Sequence, residues 1–587
     1  MENYGTFEIQ EIPLSSPYFR RKVESFLGAN GLRMEEMDTY YTVQRADGEI
    51  LAGGGLCRDV VKCVAVSGAA RSEGLAGPLV SRLIAVGAEH GYDNLKVFTK
   101  PENRPVFESL GFHVLARSPQ ALLMENGRGL EAYVRRLEDR RLEGKNGIIV
   151  MNADPMTLGH RYLIEQACDQ VDWLYVIVLG GTGSRFTAEA RYGMVEKACR
   201  ITWSVSVLDG GDYCISPATF PSYFLKRLDE AAEQQMRLDP DLFARHIAPA
   251  LGICVRFVGS EPLDPMTARY NDLMREVLVP QGIEVREVER LEMDGKPVSA
   301  SVVRRLLDVG DFSAARRLCP DRSYGHLAGD LAAWALLCEL ETPCKPGMVC
   351  PGSRGAHEDM DEALMRRGIE ALRPYFVRIG AMGARKDPIW GLDLIRTGQE
   401  AEQAMLRATG GVNTHKGALY ALGLAAVAAG SVYKEEGKVE AGTLQAEIAR
   451  LAEKMRPLDP VISRRTHGTE IVRRYGVRGA QSMSLDGYRD LFADWLPYWR
   501  EVREEAFGAQ KLLLRIMSQL DDTCVIHRAG YARAREVKAE AAALLENFSE
   551  EGLEEMNGRY STGRVSPGGS ADMLALTVYI DKLITSN

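Results

Sequence analysis

Two short motifs carry the side-chain types that stabilise charge on phosphate. The first, Thr157-x-Gly159-His160, follows the strand-like run GIIVM and begins a segment with helical periodicity. A glycine there would let the backbone approach a phosphate, and the imidazole and the helix N-terminus would stabilise the charge that develops on it. The alternative is a surface histidine that only caps a helix, and one motif alone does not decide between the two.

The second motif, Ser299-x-Ser301-x-x-Arg304, begins another predicted helix. Its hydroxyls and first-turn amides can hold β- and γ-phosphates, and its guanidinium can neutralise a departing pyrophosphate. Ser299 could also be a plain N-cap, and the two roles are compatible. Together the motifs predict an ATP-dependent nucleotidyl transferase. Its catalytic residues would be Thr157, His160 and Arg304, and its ATP contacts Asn152, Gly159, Arg185, Ser299 and Ser301. For Arg185, a surface ion pair is an equal alternative.

Polar clusters also interrupt the Ala-rich stretches after about residue 320. They combine neighbouring carboxylates with cations and glycines, a set that suits Mg²⁺ and a polyphosphate. Each cluster alone could be a solvated helix start or a capped turn. The predicted triphosphate contacts are Lys345, His357, Asn413, His415, Lys416, His467, Arg528, Gly568, Gly569 and Ser570, and the predicted metal ligands are Asp359, Asp361, Asp521 and Asp522. To share one ion, Asp359 and Asp361 need extended backbone, since in a helix they would diverge by about 200°. We therefore predict a helix that begins near Glu362.

The elements that position these side chains fall into successive segments. Residues 1–125 alternate β-like runs with a helix near 78–90, and residues 126–145 are densely charged and predict a solvated connecting helix. Residues 146–320 alternate strands and helices, which predicts a parallel sheet. Residues 321–587 lose the strand signals and predict an all-α domain.

Composition excludes several classes of protein. The chain has 587 residues, and 72 basic against 81 acidic side chains give a net charge of −9, which disfavours nucleic-acid binding. Eleven scattered cysteines support neither a disulfide framework nor structural zinc. The N-terminus lacks signal-peptide features, and the uncharged stretch 417–433 is short for a bilayer and predicts a buried helix. We expect a cytoplasmic protein that binds no membrane and no nucleic acid.

A glycine-containing turn precedes the predicted helix of the first segment. It contains Arg71, Gly74 and Gly77, and glycines before a helix N-terminus let backbone amides approach a pyrophosphate. The turn resembles the coenzyme A loop of GNAT acetyltransferases, and NRPVFESLGF is similar to a later GNAT motif. The resemblance implies a GNAT-like α/β fold with these three residues at a CoA-like ligand. Fold does not establish activity, so a domain that only docks a partner or a pantetheine arm is an equal alternative.

The central segment resembles the citrate lyase ligase family, whose members also carry a GNAT domain in front. The resemblance covers roughly residues 1–320 and rests on NADPMTLGHRYLIEQA, SRFTAEAR, ISPATFPSYFLK, FVGSEPLDPMTARYN and PVSASVVRRLL. It implies a Rossmann-like nucleotidyltransferase domain with an (H/T)xGH motif. Acetate would attack ATP to give acetyl-adenylate and pyrophosphate. The prosthetic-group thiol of the citrate lyase acyl carrier protein, the γ subunit, would then take the acetyl group.

The helical segment resembles the triphosphoribosyl-dephospho-CoA synthase family over nearly all of residues 323–587. The resemblance rests on KPGMV, GAHEDMD, GVNTHKG, THG, DDTCVIHR and SPGGSAD. It implies an all-α domain in which the 2′-hydroxyl of dephospho-CoA attacks C1 of the ATP ribose, adenine leaves and the triphosphate is retained. The two implied functions complement each other, because one makes the precursor of the prosthetic group and the other acetylates the finished group.

The resulting expectation is a multidomain, bifunctional enzyme that prepares citrate lyase. Two alternatives stay open. One is a general adenylyltransferase of coenzyme A synthesis fused to a phosphoribosyl-type transferase, which would ignore acetate in ATP–pyrophosphate exchange. The other is a non-catalytic scaffold that docks the acyl carrier protein, which ATP turnover without a partner would dismiss.

Overall fold

The computed structural model describes residues 8–181, 183–200, 202–214, 233–234, 236–260, 265–385, 390–458 and 467–585. The chain forms two compact units. Unit 1 contains residues 1–152, 162–182 and 202–290, and unit 2 contains residues 153–161, 183–201 and 291–587. The central segment therefore contributes its sheet to unit 1 and its two phosphate motifs to unit 2.

Unit 1 begins with a seven-stranded sheet in the order β1-β2-β3-β4-β5-β7-β6. Its elements are β1 Ile9–Glu11, α1 Pro17–Ala29, β2 Thr39–Gln44, β3 Ile50–Cys57, β4 Val60–Val66, α2 Ala76–Glu89, β5 Lys96–Thr99, α3 Arg104–Ser109, β6 His113–Arg117 and β7 Leu122–Glu125. Neighbouring strands are antiparallel except β4 and β5, which run parallel and pair at only two positions. The α/β class and the helix near residues 78–90 are confirmed, while the GNAT assignment stays a prediction.

The charged connecting segment contains one helix, α4 Gly129–Glu138. It is only partly solvated, contrary to the expectation from its charge. Leu130, Tyr133 and Leu137 are spaced so that they lie on one face, and all three are buried in the core of unit 1. The charges occupy the remaining faces, so the density of charge concealed an amphipathic helix.

The second sheet of unit 1 has five strands, and every neighbouring pair is parallel, as predicted. Its order is β10-β9-β8-β11-β12. The elements of this stretch of chain are β8 Asn146–Met151, α5 Leu158–Cys168, β9 Trp173–Val178, α6 Ala188–Cys199, β10 Val205–Asp209, α7 Leu238–Leu242, a π-helical turn Phe243–Ile247, α8 Ala248–Leu251, β11 Ile253–Gly259, α9 Pro265–Leu278 and β12 Glu284–Val288. Of these, α6 and the first turn of α5 belong to unit 2. After Asn146, strand β8 has no polar side chain, because both faces of a parallel sheet are covered. The chain leaves its carboxyl end at Asn152, directly before the first phosphate motif.

Unit 2 is helical apart from a two-stranded hairpin, β13 Glu292–Met293 and β14 Lys296–Pro297, in its described residues. Its helices are α10 Ala300–Asp308, α11 Phe312–Arg317, α12 Tyr324–Glu341, α13 Glu362–Met382, α14 Trp390–Ala408, α15 Lys416–Glu436, α16 Ala441–Met455, α17 His467–Tyr475, α18 Ala480–Ser484, α19 Leu496–Val502, α20 Gly508–Gln519, α21 Thr523–Ala529, α22 Tyr531–Glu546, α23 Glu550–Thr562 and α24 Gly568–Ile584. A multidomain fold with a helical C-terminal region is thus confirmed.

Small residues explain how tightly these helices pack. A Cβ on Gly329 of α12 would lie 2.1 Å from the Phe376 carbonyl of α13, and one on Gly430 of α15 would lie 2.4 Å from the Gly380 carbonyl. Backbones can approach this closely only where side chains are absent. Helix α15 is long and apolar enough to cross a membrane, but it lies mostly buried among its neighbours in unit 2. The predicted buried helix over residues 417–433 is confirmed.

Candidate active sites

The first candidate site is built on residues 153–161, where helix α5 begins. The backbone N–H of buried Thr157 lies 3.1 Å from His160 Nδ1, and the Thr157 hydroxyl lies 2.9 Å from the same atom. Because an amide can only donate, Nδ1 accepts, and a neutral His160 carries its proton on Nε2. Thr157 therefore holds the imidazole in one orientation and one tautomer, with an N–H donor suited to a phosphoryl oxygen.

Asp154 links this loop to the SRF motif and to the SxSxxR motif. Its carboxylate accepts from the backbone N–H of Arg185 at 3.1 Å and from that of Phe186 at 2.9 Å. Arg304 donates to the Asp154 backbone carbonyl. Asp154 is buried, so these contacts are shielded from water and hold the three segments together. Sequence reasoning missed this role, although Asp154 stands inside NADPMTLGH.

Gly159 and Ser299 bring the two phosphate motifs side by side. A Cβ on Gly159 would lie 2.8 Å from the Val298 carbonyl oxygen, so the glycine permits a close backbone contact within the protein. Its predicted approach to a phosphate stays a prediction. Ser299 has extended backbone and accepts from the Val302 N–H at 3.3 Å, which confirms it as the N-cap of α10. Its hydroxyl lies 3.0 Å from that of Ser301.

Arg185 forms a buried ion pair, not a surface one. Its side chain is only 12% exposed, and it donates to Asp330 from Nε at 3.0 Å and from Nη2 at 2.7 Å. Its Nη1 pairs with Asp308. Burial lowers the pKa of the Arg185 guanidinium, but the two carboxylates more than offset this, so its pKa lies above the ordinary value. Contact with a phosphate stays a prediction.

The second candidate site lies in unit 2, where His357 joins three of the predicted clusters. Its Nε2 lies 2.8 Å from Ser566 Oγ, and Arg528 Nη2 donates to its Nδ1 at 3.2 Å. Asp359 lies 3.8 Å from the same ring nitrogen. Burial lowers the pKa of His357, and Arg528 acts in the same direction against the weaker influence of Asp359. The ring is therefore neutral at pH 7 and donates from Nε2 to Ser566.

Asp522 holds the glycine turn of the second site in place. One carboxylate oxygen accepts from the N–H groups of Cys524 at 2.9 Å and Val525 at 3.4 Å, which caps α21. The other accepts from the N–H and the hydroxyl of Ser570 at 2.8 and 3.0 Å. A Cβ on Gly569 would lie 3.1 Å from this carboxylate. The prediction of Asp522 as a metal ligand does not fit, because four protein donors already use a buried carboxylate.

Lys345 also differs from its predicted role. The side chain is buried, and its ammonium donates to the Glu339 carbonyl at 2.6 Å and pairs with the Glu339 carboxylate. It therefore lies in the core instead of facing a triphosphate. The turn explains this direction, because Gly347 has φ +70° and a Cβ there would lie 2.0 Å from the Val565 carbonyl. Packing of KPG against the chain before SPGGSAD directs the lysine inward.

Only some side chains of the NTHKG cluster are exposed to solvent. His415 is buried, whereas Asn413 and Lys416 are exposed. Asn413 accepts from the Lys416 N–H at 3.1 Å, and the Lys416 ammonium pairs with Glu402 at 2.6 Å. His467 begins α17, but its side chain lies outside the described part of the chain.

Gly417, the last residue of NTHKG, lies so close to Asp572 that no side chain fits there. A Cβ at this position would lie 2.1 Å from an Asp572 carboxylate oxygen. The Ala418 N–H hydrogen-bonds the same carboxylate, while burial, Glu339 and Asp522 raise its pKa well above the ordinary value. Asp572 is the other residue that sequence reasoning left without a role, although SPGGSAD contains it.

The predicted metal ligands are mostly engaged by protein groups. Helix α13 begins at Glu362, as predicted, and Asp361 caps it by accepting from the Leu364 N–H at 2.8 Å. Asp361 also pairs with Arg354 at 3.0 Å, and Asp521 pairs with Lys538 at 2.8 Å. Asp359 is exposed. In the described ranges, no three His, Cys, Asp or Glu side chains are grouped so that they could hold a metal ion.

The glycine turn of unit 1 has the form that its sequence predicts. Gly74, at φ +65°, ends a 3₁₀ turn at residues 68–73, and helix α2 follows from Ala76. Gly77 lies in the first turn of α2, and a Cβ there would meet no atom within 4 Å. Arg71 is exposed. These residues are accessible to a ligand, and their CoA contact stays a prediction.

Comparison with known proteins decides the family. Residues 146–327 match the model of the citrate lyase ligase C-terminal domain, and residues 326–587 match that of ATP:dephospho-CoA triphosphoribosyl transferase. The [citrate [pro-3S]-lyase] ligase of Klebsiella pneumoniae is 38% identical over 52% of this chain and 92% of its own length. The corresponding ligase of Escherichia coli K12 is 39% identical over 51% of this chain and 87% of its own length. A probable 2-(5''-triphosphoribosyl)-3'-dephosphocoenzyme-A synthase from Azotobacter vinelandii is 37% identical over 46% of this chain and 96% of its own length.

The chain belongs to the citrate lyase ligase and the triphosphoribosyl-dephospho-CoA synthase families. Both resemblances drawn from the sequence are thereby confirmed, and the protein is an enzyme with ligase and transferase functions. We call residues 146–327 the ligase segment and residues 326–587 the synthase segment. Two of the motif regions that carried the ligase resemblance, residues 215–226 and 261–264, lie outside the described residues.

Acid is expected to destabilise the synthase segment through two buried histidines. His326 and His415 are each 4% exposed, and burial lowers the pKa of both to about 3. In the unfolded chain they titrate near 6.5, so below that pH only the unfolded state takes up these protons. Lowering the pH from 7 to 5.5 should therefore cost roughly 2.5 kcal/mol of unfolding free energy in total. Urea unfolding at both pH values measures this. His326→Gln should remove about half of the dependence, and an unchanged dependence in that variant would contradict the assignment.

Proposed function

We propose that the chain is a bifunctional enzyme that prepares citrate lyase for catalysis. In the ligase reaction, an acetate oxygen attacks the α-phosphate of ATP, acetyl-adenylate forms and pyrophosphate leaves. The prosthetic-group thiol of the acyl carrier protein, the γ subunit, then attacks the acetyl carbonyl and AMP leaves. In the synthase reaction, the 2′-hydroxyl of dephospho-CoA attacks C1 of the ATP ribose and adenine leaves. The observation that carries the proposal is that one chain aligns with nearly the whole length of relatives from both families.

The ligase site supplies donors for every phosphate of ATP. His160 directs Nε2–H to the α-phosphate, where charge develops as acetate attacks, and Thr157 keeps the ring in that tautomer. Arg304, held by the Asp154 carbonyl, neutralises the departing pyrophosphate. Ser299 and Ser301 contribute hydroxyls at the start of α10 for the β- and γ-phosphates. Asn152, Gly159 and Arg185 are the remaining ATP contacts of the proposal.

The synthase site binds the triphosphate with exposed cations and a helix start. Arg528, Lys416 and Asn413 are exposed and can contact phosphate oxygens, and Gly568 and Gly569 lie at the start of α24. Ser570 supports the site indirectly, because it is buried and donates its N–H and its hydroxyl to Asp522. Holding the triphosphate fixes C1 of the ribose in line with the attacking hydroxyl. Mg²⁺ would be held by Asp359, which is exposed, and by Asp361, which has extended backbone before α13 and would have to leave its ion pair with Arg354. Bound there, the ion would neutralise part of the triphosphate charge.

The assay that tests the proposal uses the full chain. We expect ATP–pyrophosphate exchange that depends on acetate, and adenine release that depends on dephospho-CoA. Exchange that ignores acetate would favour a general adenylyltransferase of coenzyme A synthesis, and no turnover of either kind would favour a docking scaffold. Because both reactions consume ATP, we propose a cytoplasmic location.

We propose that the turn before α2 and the first turn of that helix bind a CoA-like pyrophosphate at Arg71, Gly74 and Gly77, and Gly77→Asp tests this. The new carboxylate would enter open space, so it should repel the ligand without straining the backbone; Gly74 is less suitable because of its positive φ. We expect about 10-fold weaker binding of dephospho-CoA or acetyl-CoA in calorimetric titrations. Gly28→Asp on α1 is the matched control, since its Cβ also meets open space. Equal titrations for both variants would leave the domain a structural or docking role.

A further inference from the structure

Arg185 presents two edges to two different carboxylates. The Nε/Nη2 edge donates to Asp330, with Nε at 3.0 and 3.1 Å from its two oxygens and Nη2 at 2.7 Å. The Nη1 corner pairs with Asp308 at the end of α10. The Asp330 side chain is 0% exposed, whereas that of Asp308 is 62% exposed. One partner is therefore permanent and the other can exchange with solvent.

Asp330 is itself held by a second arginine. Arg373 of α13 donates to its Oδ1 at 3.0 Å, and Arg373 is paired in turn with Glu370 through two contacts of 3.0 Å. With both carboxylate oxygens engaged and no access to water, Asp330 cannot turn away from Arg185 without leaving buried charge unpaired. Asp308 can turn into water at little cost, because an exposed pair contributes little.

We propose that Asp330 is a positioning residue for the ligase reaction. It fixes Arg185 by one edge, so that Nη1 can leave Asp308 and donate to a phosphate oxygen of ATP. In the free enzyme, the Asp308 carboxylate occupies the position at Nη1 that the phosphate oxygen would take. The inference rests on the proposed function, because it assigns Arg185 to the ATP of acetyl-adenylate formation.

Arg185 and Asp330 belong to the segments of two different enzyme families. Arg185 lies in the SRF motif of the ligase segment, while Asp330 and Arg373 lie on helices α12 and α13 of the synthase segment. The ligase site is then completed by a residue of the other enzyme. The two activities use separate reacting groups, but the ligase reaction depends on helix α12.

Steady-state ATP–pyrophosphate exchange by the full chain tests this. Asp330→Asn keeps the shape but removes the charge, and we expect KM for ATP to rise about 10-fold or more with a smaller change in kcat. Asp308→Asn should have the opposite sign and lower KM for ATP by about two- to fivefold, because a competitor of the phosphate is weakened. Glu370→Gln is the matched control, since it alters the same network through Arg373 without touching Arg185.

A double-mutant comparison separates positioning from a general structural effect. In an Arg185→Ala background, Asp330→Asn should change KM for ATP less than twofold, because Asp330 acts only through the arginine. An equal effect of Asp330→Asn in both backgrounds overturns the proposal, as does an unchanged KM in the single variant. If Asp330→Asn fails to fold, as judged by loss of adenine release, Asp308→Asn decides, and a raised or unchanged KM overturns the proposal. Absence of acetate-dependent exchange in the unaltered chain would instead contradict the proposed function.

Discussion

Replacing His160 by alanine is expected to slow acetate-dependent ATP–pyrophosphate exchange by about 10²–10³-fold, the usual contribution of one preorganised donor to a transition state. The reason lies in the fixed tautomer. Thr157 donates its backbone N–H to Nδ1 at 3.1 Å, so Nε2 carries the proton that the α-phosphate oxygens need as their charge grows. Alanine removes this donor and leaves the Asp154 contacts of the loop in place.

Adenine release by the same preparation is the internal control for His160→Ala. His160 lies in the ligase segment and the proposed triphosphate contacts lie in the synthase segment, so release should stay within about twofold of the unaltered chain. Thr157→Val gives an independent check, because it removes the hydroxyl but keeps the backbone N–H, and it should slow exchange less than His160→Ala. Loss of both activities in His160→Ala would show that the two reactions share a site or that the variant misfolds.

Replacing Asp522 by asparagine is expected to reduce the free energy of unfolding by about 2–3 kcal/mol and to abolish adenine release. Both carboxylate oxygens accept from backbone N–H groups, Cys524 and Val525 on one side and Ser570 on the other. An asparagine amide must direct its NH₂ toward one of these sides, where it faces a donor. The cap of α21 or the anchor of the SPGGS turn is lost in either orientation.

Asp311→Asn is the matched control for Asp522→Asn. Asp311 is also an N-cap, but its side chain accepts from only one N–H, that of Ala314 at 3.0 Å, and it is exposed. Asparagine can keep that single bond and is itself a good cap, so we expect a change below about 0.5 kcal/mol. Urea unfolding measures both variants. Equal stability of the two would mean that the four donors around Asp522 are not cooperative, and retained adenine release would mean that the turn does not form the site.

Features that depend on neighbouring residues in the chain were predictable from the sequence. Two carboxylates at positions 359 and 361 needed extended backbone before a helix, and α13 begins at Glu362. The TxGH and SxSxxR motifs were placed at helix starts, where α5 and α10 begin, because their glycine and serines are typical of such starts. The uncharged stretch 417–433 was predicted as buried, and α15 is buried. Periodicity and capping are local, so one sequence reveals them.

The partners of the charged side chains were not predictable. Sequence showed Arg185 and Lys345 as cations near phosphate motifs, and only the tertiary structure pairs them with Asp330 and Glu339. In the same way Asp522 satisfied the spacing of a metal ligand, until folding placed Ser570 against its second oxygen.

By itself, then, the sequence determined the two families to which the chain belongs and the helix starts that follow the TxGH, SxSxxR and HEDMD motifs. Only the tertiary structure decided which of those side chains are exposed and which are buried in contacts with other groups of the protein. The physical reason is that a charge inside a protein must find a partner, and that partner lies across the fold, at a separation in sequence that no motif records.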